Sequence, residues 1–182
     1  NYEHHLILKM SDEGISEAEK FLKNFFEKNE GNYFICTKKE GKMAELNRFA
    51  AAGAAVRYKK IFNKEVEDVL ALDFSLPRNE KHWFEELPEE FAKNFLFKLY
   101  YGHFFCHVLH QDYITKKGTN TEELKEKLLQ LLDKRGAEYP AEHNVGHLYN
   151  AKKPLSDFYK KIDPTNSMNP GIGKMSKKKY YQ

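Results

Sequence analysis

The chain has 182 residues, 41% of them hydrophobic and 31% charged, with 14 Phe and 11 Tyr. That is about one domain's worth, too aromatic for a disordered chain and too charged for a fibrous one. Lys+Arg 30 against Asp+Glu 27 leave a net charge of +3, which excludes neither an acidic partner nor a small-molecule substrate. The longest apolar or small run, Phe49 to Val56, falls far short of the ~18 residues of a spanning helix, so none is expected. Cys36 and Cys106 each stand in an apolar stretch and read as small core thiols without a disulfide, as in a reducing compartment. The chain starts at Asn1 with no leader, and reads as a piece of a longer protein.

In chain order, Tyr2 to Leu8 reads as an opening strand. Ser16 and Glu19 form a capping-box pair ahead of an apolar stripe, Ala18, Phe21, Leu22, Phe25 and Phe26, predicting a helix that ends near Gly31. Tyr33 to Thr37 reads as a short strand, and about Lys42 to Lys60 as a helix with a very small centre, Ala50 to Ala55. Val66 to Leu76 predicts a strand ended by Pro77, followed by a short polar helical segment carrying Trp83 and Phe84. The aromatic run Leu96 to Ile114 predicts the strands at the heart of the sheet. Thr119 and Glu122 box a second clear helix with Leu124, Leu128, Leu131 and Leu132 on one face and Gly136 at its end. A short helix near Leu155 to Lys161 and a turn-rich ending, Asp163 to Gly173, complete the chain. The expected class is α+β, an antiparallel sheet flanked by helices.

Seven of the eight histidines fall in three groups: His4 with His5; His103, His107 and His110; and His143 with His147, beside Glu142. Imidazole next to carboxylate supplies lone pairs near neutral pH, which suits a general base or a metal site. A hydrogen-bonded, partly buried histidine in an aromatic strand has the same sequence signature. His103, His107 and His110 share a face on a helix, whereas an unbroken strand puts His103 and His110 on opposite faces, and only a bulge or turn reunites them. Gly171-Ile172-Gly173 lacks the strand-turn-helix context of a dinucleotide loop and reads as a simple turn. From Lys38 to Lys64 runs a basic segment with Phe49, Tyr58 and Phe62 interleaved, which suits an anionic lipid surface or nucleic acid as well as a plain solvated face.

Four stretches carry a family resemblance: Arg48 to Ala55; Tyr100-Tyr101-Gly102-His103 through His110-Gln111-Asp112-Tyr113; Glu142-His143-Asn144-Val145-Gly146-His147-Leu148-Tyr149; and Asp163 to Lys174. Together they resemble the C-terminal part of the quinone-dependent, FAD-containing D-lactate dehydrogenases of bacteria. The resemblance implies a cap-domain fragment of an FAD-linked 2-hydroxy acid dehydrogenase. Residues 1–38 and 63–132 would belong to the cap, 39–62 would be a basic membrane-contacting insertion, and 133–182 a segment returning to a FAD-binding domain outside this chain. It implies oxidation of D-lactate to pyruvate, with electrons passing through FAD to membrane quinone, peripherally on the cytoplasmic face of the bacterial inner membrane. By motif, His103, His110 and Glu142 would hold a divalent metal, His143 would be the catalytic base, and Arg48 would bind the substrate carboxylate. Lys38, Lys39, Lys42, Arg57, Lys59 and Lys60 would contact anionic lipid. The related dehydrogenases carry a glycine-rich turn between the two metal-binding histidines, where this chain has Phe104 to Leu109. The expected partners are D-lactate, quinone, lipid and the rest of the enzyme, with no nucleic acid. Two other readings of the residues stand beside this one. One is a non-catalytic basic module for anionic membrane or nucleic acid with structural histidines, and the other is a metal hydrolase built on the histidine cluster.

Overall fold

A computed structural model describes residues 2–143 and 149–182. They divide into two compact units, 1–52 and 53–182.

The first unit holds helix α1 (Glu13–Phe26) and the N-terminal part of α2 (Lys38–Ile61). The α1 helix starts three residues before the expected Ser16: Glu13 places a carboxylate in the first turn, which favours the helix dipole, and the Ser16 hydroxyl donates back to Glu13 O. Its aromatic stripe pairs within the unit, Phe21 on Phe25, Phe25 on Phe26 and Phe26 on Tyr33, with centroids 5.2–6.0 Å apart. A Thr37–Glu40 capping box starts α2: the Thr37 hydroxyl and backbone N–H both donate to Glu40 Oε2, and Glu40 N–H donates to Thr37 Oγ1. Neither Tyr2 to Leu8 nor Tyr33 to Thr37 forms the expected strand; both lack a ladder partner among the described residues, and apolar alternation without a partner strand is not a sheet. No described residue of 2–52 is buried. Phe34 is 79% exposed and Phe49 70%.

The second unit is built on a three-stranded antiparallel sheet in the order β1-β3-β2, with β1 (Val66–Ser75), β2 (Phe95–His103) and β3 (Val108–Lys116). The α+β class expected from the sequence is what the chain adopts. Alternation along β1 sends Leu70, Leu72 and Phe74 to one face, where they pack with Leu109, Tyr113 and the Leu124, Leu128 and Leu132 stripe of α4 (Thr121–Lys134). Asn120, not Thr119, caps α4, its side chain accepting from Glu123 N–H, and Gly136 closes the helix at φ 68°. Leu128 is 2% exposed. Leu128→Ala is expected to lower unfolding stability by about 2–5 kcal/mol, read from the midpoint of urea unfolding; a shift below 1 kcal/mol would contradict this packing.

On the opposite face, Ala55 and Tyr58 from the end of α2 cover Val66, Val69, Leu99 and Ile114, leaving the hairpin end of that face for polar residues. Trp83 and Phe84 are not helical. The segment between Pro77 and Pro88 is irregular there, and Trp83 packs edge-on against Phe84, Tyr100 and Phe104; the helix, α3 (Glu89–Ala92), follows it. Near the C-terminus comes α5 (Lys153–Ile162), then the Gly171–Gly173 turn, with Gly171 and Gly173 at φ 86° and 60°. Both cysteines are free and exposed rather than core residues: Cys36 precedes α2, and Cys106 lies in the hairpin turn between β2 and β3.

Candidate functional site

The run from Leu96 to Ile114 is a hairpin, and its reversal decides where the histidines go. Tyr101 pairs with His110 and His103 with Val108, so His103 and His110 are diagonal neighbours on one face despite their spacing of seven. Two local features close the turn. At Gly102 a Cβ would meet Val108 O at 2.6 Å, and His107 takes the left-handed conformation at φ 55° after the single 3-10 turn Phe104–Cys106. The turn therefore does in this chain what the sequence requires of any strand reading.

On the other edge of β1, Ser75 exchanges backbone hydrogen bonds with Glu138, and Ala141 N–H donates to Asp73 O. The chain is thereby led along β1 and delivers Glu142 and His143 beside His110. His110 Nε2 lies 3.7 Å from Glu142 Oε2, and His143 Nε2 lies 3.7 Å from the same oxygen. The His110 ring stacks on His143 with centroids 5.6 Å apart and 17° between planes, stacks on Tyr101 at 5.5 Å, and meets His103 edge-on at 5.6 Å. His147 and the rest of 144–148 lie outside the described residues.

The donor set fits a divalent cation: one ligand atom from each of His103, His110 and Glu142 lies within 4.8 Å of the others. Two imidazoles and a carboxylate are a common set for zinc and similar ions with open positions left over. Burial lowers the pKa of His110, against the pull of Asp73 and Glu142, which keeps the imidazole neutral and its lone pair free for a ligand. Deeper on the same face, the Tyr101 hydroxyl donates to Asp112 Oδ2 at 2.7 Å; burial raises both groups above their ordinary pKa values, and Asp112 adds to the rise at Tyr101. Flavin is a different matter. The Gly171–Gly173 turn does not open a helix of useful length, and a Cβ at Gly173 would strike Ala151 at 2.4 Å, so this turn is filled by packing and is no diphosphate cradle.

The structure therefore brings together four of the residues expected from sequence: His103, His110, Glu142 and His143. Arg48 stands in the first unit, exposed on α2, with its guanidinium 6.0 Å from the Phe49 ring centroid. Lys38, Lys39 and Lys42 are in the same unit, on the first turns of α2, and all three are exposed. Arg57, Lys59 and Lys60 lie on the part of α2 in the second unit, where Lys59 Nζ makes a 2.6 Å ion pair with Asp68 Oδ1. Sequence reading missed Asp73, Tyr101 and Asp112 at the site. The available signal was acidic: Asp73 and Asp112 each interrupt an otherwise apolar or aromatic strand run, where a carboxylate persists only with partners.

Fold and site together define an α+β module with a histidine–carboxylate cluster at one end of a sheet face, joined to a unit that exposes apolar and basic residues together. The family model described as "D-lactate dehydrogenase, membrane binding" matches residues 1–181, and the chain belongs to that family. It is 58% identical over 181 residues to a quinone-dependent D-lactate dehydrogenase of Escherichia coli (strain K12), covering 100% of this chain and 32% of that protein. A protein of the same description from Haemophilus influenzae is also 58% identical, over 99% of this chain and 32% of its own length. One from Corynebacterium glutamicum is 45% identical, over 94% of this chain and 30% of its own length. The chain thus spans about a third of the length of the curated relatives it matches. Among the described residues no helix is long and apolar enough to cross a membrane.

Proposed function

We propose that this chain is the substrate-side and membrane-contacting part of a respiratory enzyme that oxidises D-lactate to pyruvate and delivers the electrons to membrane quinone. The observation that carries the reading is the convergence of His103, His110, Glu142 and His143 in one cluster, in a chain whose relatives are quinone-dependent D-lactate dehydrogenases. FAD, bound by the rest of the enzyme, supplies two-electron acceptance. The roles of this chain are the others. His143 takes the hydroxyl proton at Nε2; its ring is 65% exposed and so open to a substrate, while Glu142 holds the imidazolium by charge as it forms. Arg48 pairs with the carboxylate of D-lactate, for which a guanidinium is a matched two-point donor. His103, His110 and Glu142 hold a divalent cation, which when bound polarises the hydroxyl oxygen.

In this reading residues 1–38 and 63–132 belong to the cap, 39–62 to a membrane-contacting insertion and 133–182 to a segment that returns to the FAD-binding domain. The enzyme sits peripherally on the cytoplasmic face of the inner membrane. Support comes from the unit 2–52, which buries none of its described residues and carries exposed Phe34, Phe49, Met43 and Leu46 beside exposed Lys38, Lys39 and Lys42. Apolar side chains with interspersed lysines suit the interface of an anionic bilayer. Exposed Arg57 and Lys60 add charge at the far end of α2, where Lys59 is paired with Asp68.

The membrane role is tested in the full-length enzyme by replacing Lys38, Lys39 and Lys42 with glutamate. Losing about 1 kcal/mol for each lysine near an anionic surface gives ~100-fold weaker binding to vesicles containing anionic phospholipid, with D-lactate-dependent reduction of a soluble dye unchanged. Equal vesicle binding would remove these lysines from the membrane surface.

A further inference from the structure

Asp73 stands on β1 directly opposite His110 on β3, on the sheet face turned away from α4. It is 4% exposed. Its oxygens do two different things. Oδ2 accepts from Glu142 N–H at 2.8 Å and from His143 N–H, so one carboxylate oxygen fixes the backbone of both residues that carry the loop's chemistry. Oδ1 is buried without a hydrogen-bond partner among the described residues, and lies 3.4 Å from His110 Nδ1. The backbone of Asp73 is engaged as well, its N–H donating to the buried Tyr149 hydroxyl and its carbonyl accepting from Ala141 N–H. The carboxylate therefore sits on a strand pinned from both sides, and cannot drift without taking the loop with it.

We propose that Asp73 is the positioning residue of the cluster: its carboxylate holds the proton of His110 on Nδ1, so that Nε2 presents a lone pair toward Glu142 and the cation, while it anchors the 142–143 backbone at the right height. This rests on the reading of His103, His110 and Glu142 as a divalent-cation site. The logic is that of outer carboxylates behind metal-bound histidines: a neutral imidazole has one N–H and one lone pair, and the group facing one nitrogen decides which is which. Both jobs come from one side chain, so ligand orientation and loop placement are coupled. Tyr101, whose hydroxyl is held by Asp112, also stacks on the His110 ring.

Asp73→Asn separates position from charge. The amide oxygen can still accept the two backbone N–H groups, but the amide nitrogen then donates toward His110 Nδ1, drives the ring proton to Nε2 and blocks the ligand position. In the full-length enzyme, Zn2+ affinity measured by competition with a chelating dye is expected to fall ~10- to 100-fold. The nitrogen shifts of 15N-labelled histidine in the metal-free enzyme are expected to show the His110 proton moving from Nδ1 to Nε2. Unchanged Zn2+ affinity in Asp73→Asn, with binding lost in His103→Ala, would overturn the role of Asp73 and leave the cation site standing. No Zn2+ binding at this cluster in the wild-type enzyme would overturn both. Should the asparagine variant fail to fold, the wild-type spectrum decides alone: a His110 proton on Nδ1 supports the proposal, and one on Nε2 overturns it.

Discussion

Replacing His143 with alanine in the full-length enzyme is expected to lower D-lactate-dependent turnover by ~100-fold or more, the usual weight of a general base, with flavin content unchanged. The fold has little to lose from this change. The ring is 65% exposed, and what the structure holds at this position is the backbone N–H, through Asp73 Oδ2. Alanine keeps that bond. The loss should appear in kcat more than in KM, because proton removal belongs to the transition state. His82→Ala is the matched control, since His82 stands outside all three histidine groups, is exposed, and is engaged through its backbone with Glu80 and Arg135. If His143→Ala keeps full turnover at equal flavin content, His143 is structural and the base must be sought elsewhere.

His110→Ala should remove the cation. His110 is the central member of the cluster: its side chain is 14% exposed, it stacks with both the Tyr101 and His143 rings, and its two nitrogens lie near the carboxylates of Asp73 and Glu142. The expected loss of Zn2+ affinity is at least ~100-fold, at or beyond the upper end of what outer partners of metal ligands carry. Stripping the wild-type enzyme with a chelator should reduce turnover, and adding the cation back should restore it. The same addition should fail with His110→Ala. Turnover indifferent to both treatments would leave His110 as a packing residue between two rings. His107→Ala should not copy this result, because His107 turns the hairpin and takes no part in the donor set.

What the sequence made legible was local and periodic. The Leu124, Leu128, Leu131 and Leu132 stripe announces α4, and the apolar run from Val66 announces β1, because helix and strand periods are written directly in side-chain polarity. The α2 helix begins at Lys38, earlier than the expected Lys42, and its Thr37–Glu40 box stands in the sequence three residues apart. Partnership is what a single sequence conceals. Among the described residues Tyr2 to Leu8 has strand composition and no strand to pair with, and Trp83 lies in an irregular segment and packs on Phe84, Tyr100 and Phe104. Cys36 and Cys106 lie among apolar residues whose side chains are themselves exposed, such as Phe34, Ile35 and Phe105, so an apolar neighbourhood in sequence did not mean a buried one in space.

The site follows the same division. Glu142 and His143 were readable as neighbours, and His103 and His110 as a pair awaiting a turn. Their meeting depends on Gly102, on a left-handed His107 and on an aspartate seventy residues from the loop that it holds. Asp73 carries no motif of its own. Its one trace in sequence is a charge inside Leu70-Ala71-Leu72-Asp73-Phe74, and the reason for that charge is visible only when β1 is paired with β3 and lined by 138–141.

The most direct measurement is the position of oxamate, an unreactive isostere of pyruvate, in a crystal structure of the full-length enzyme. Its C2 substituent oxygen is predicted to lie within hydrogen-bond reach of His143 Nε2, ~3 Å or one bridging water away. Oxamate bound at the flavin with His103, His110, Glu142 and His143 all out of reach would contradict the account, and would make the cluster a structural feature of the membrane-binding part.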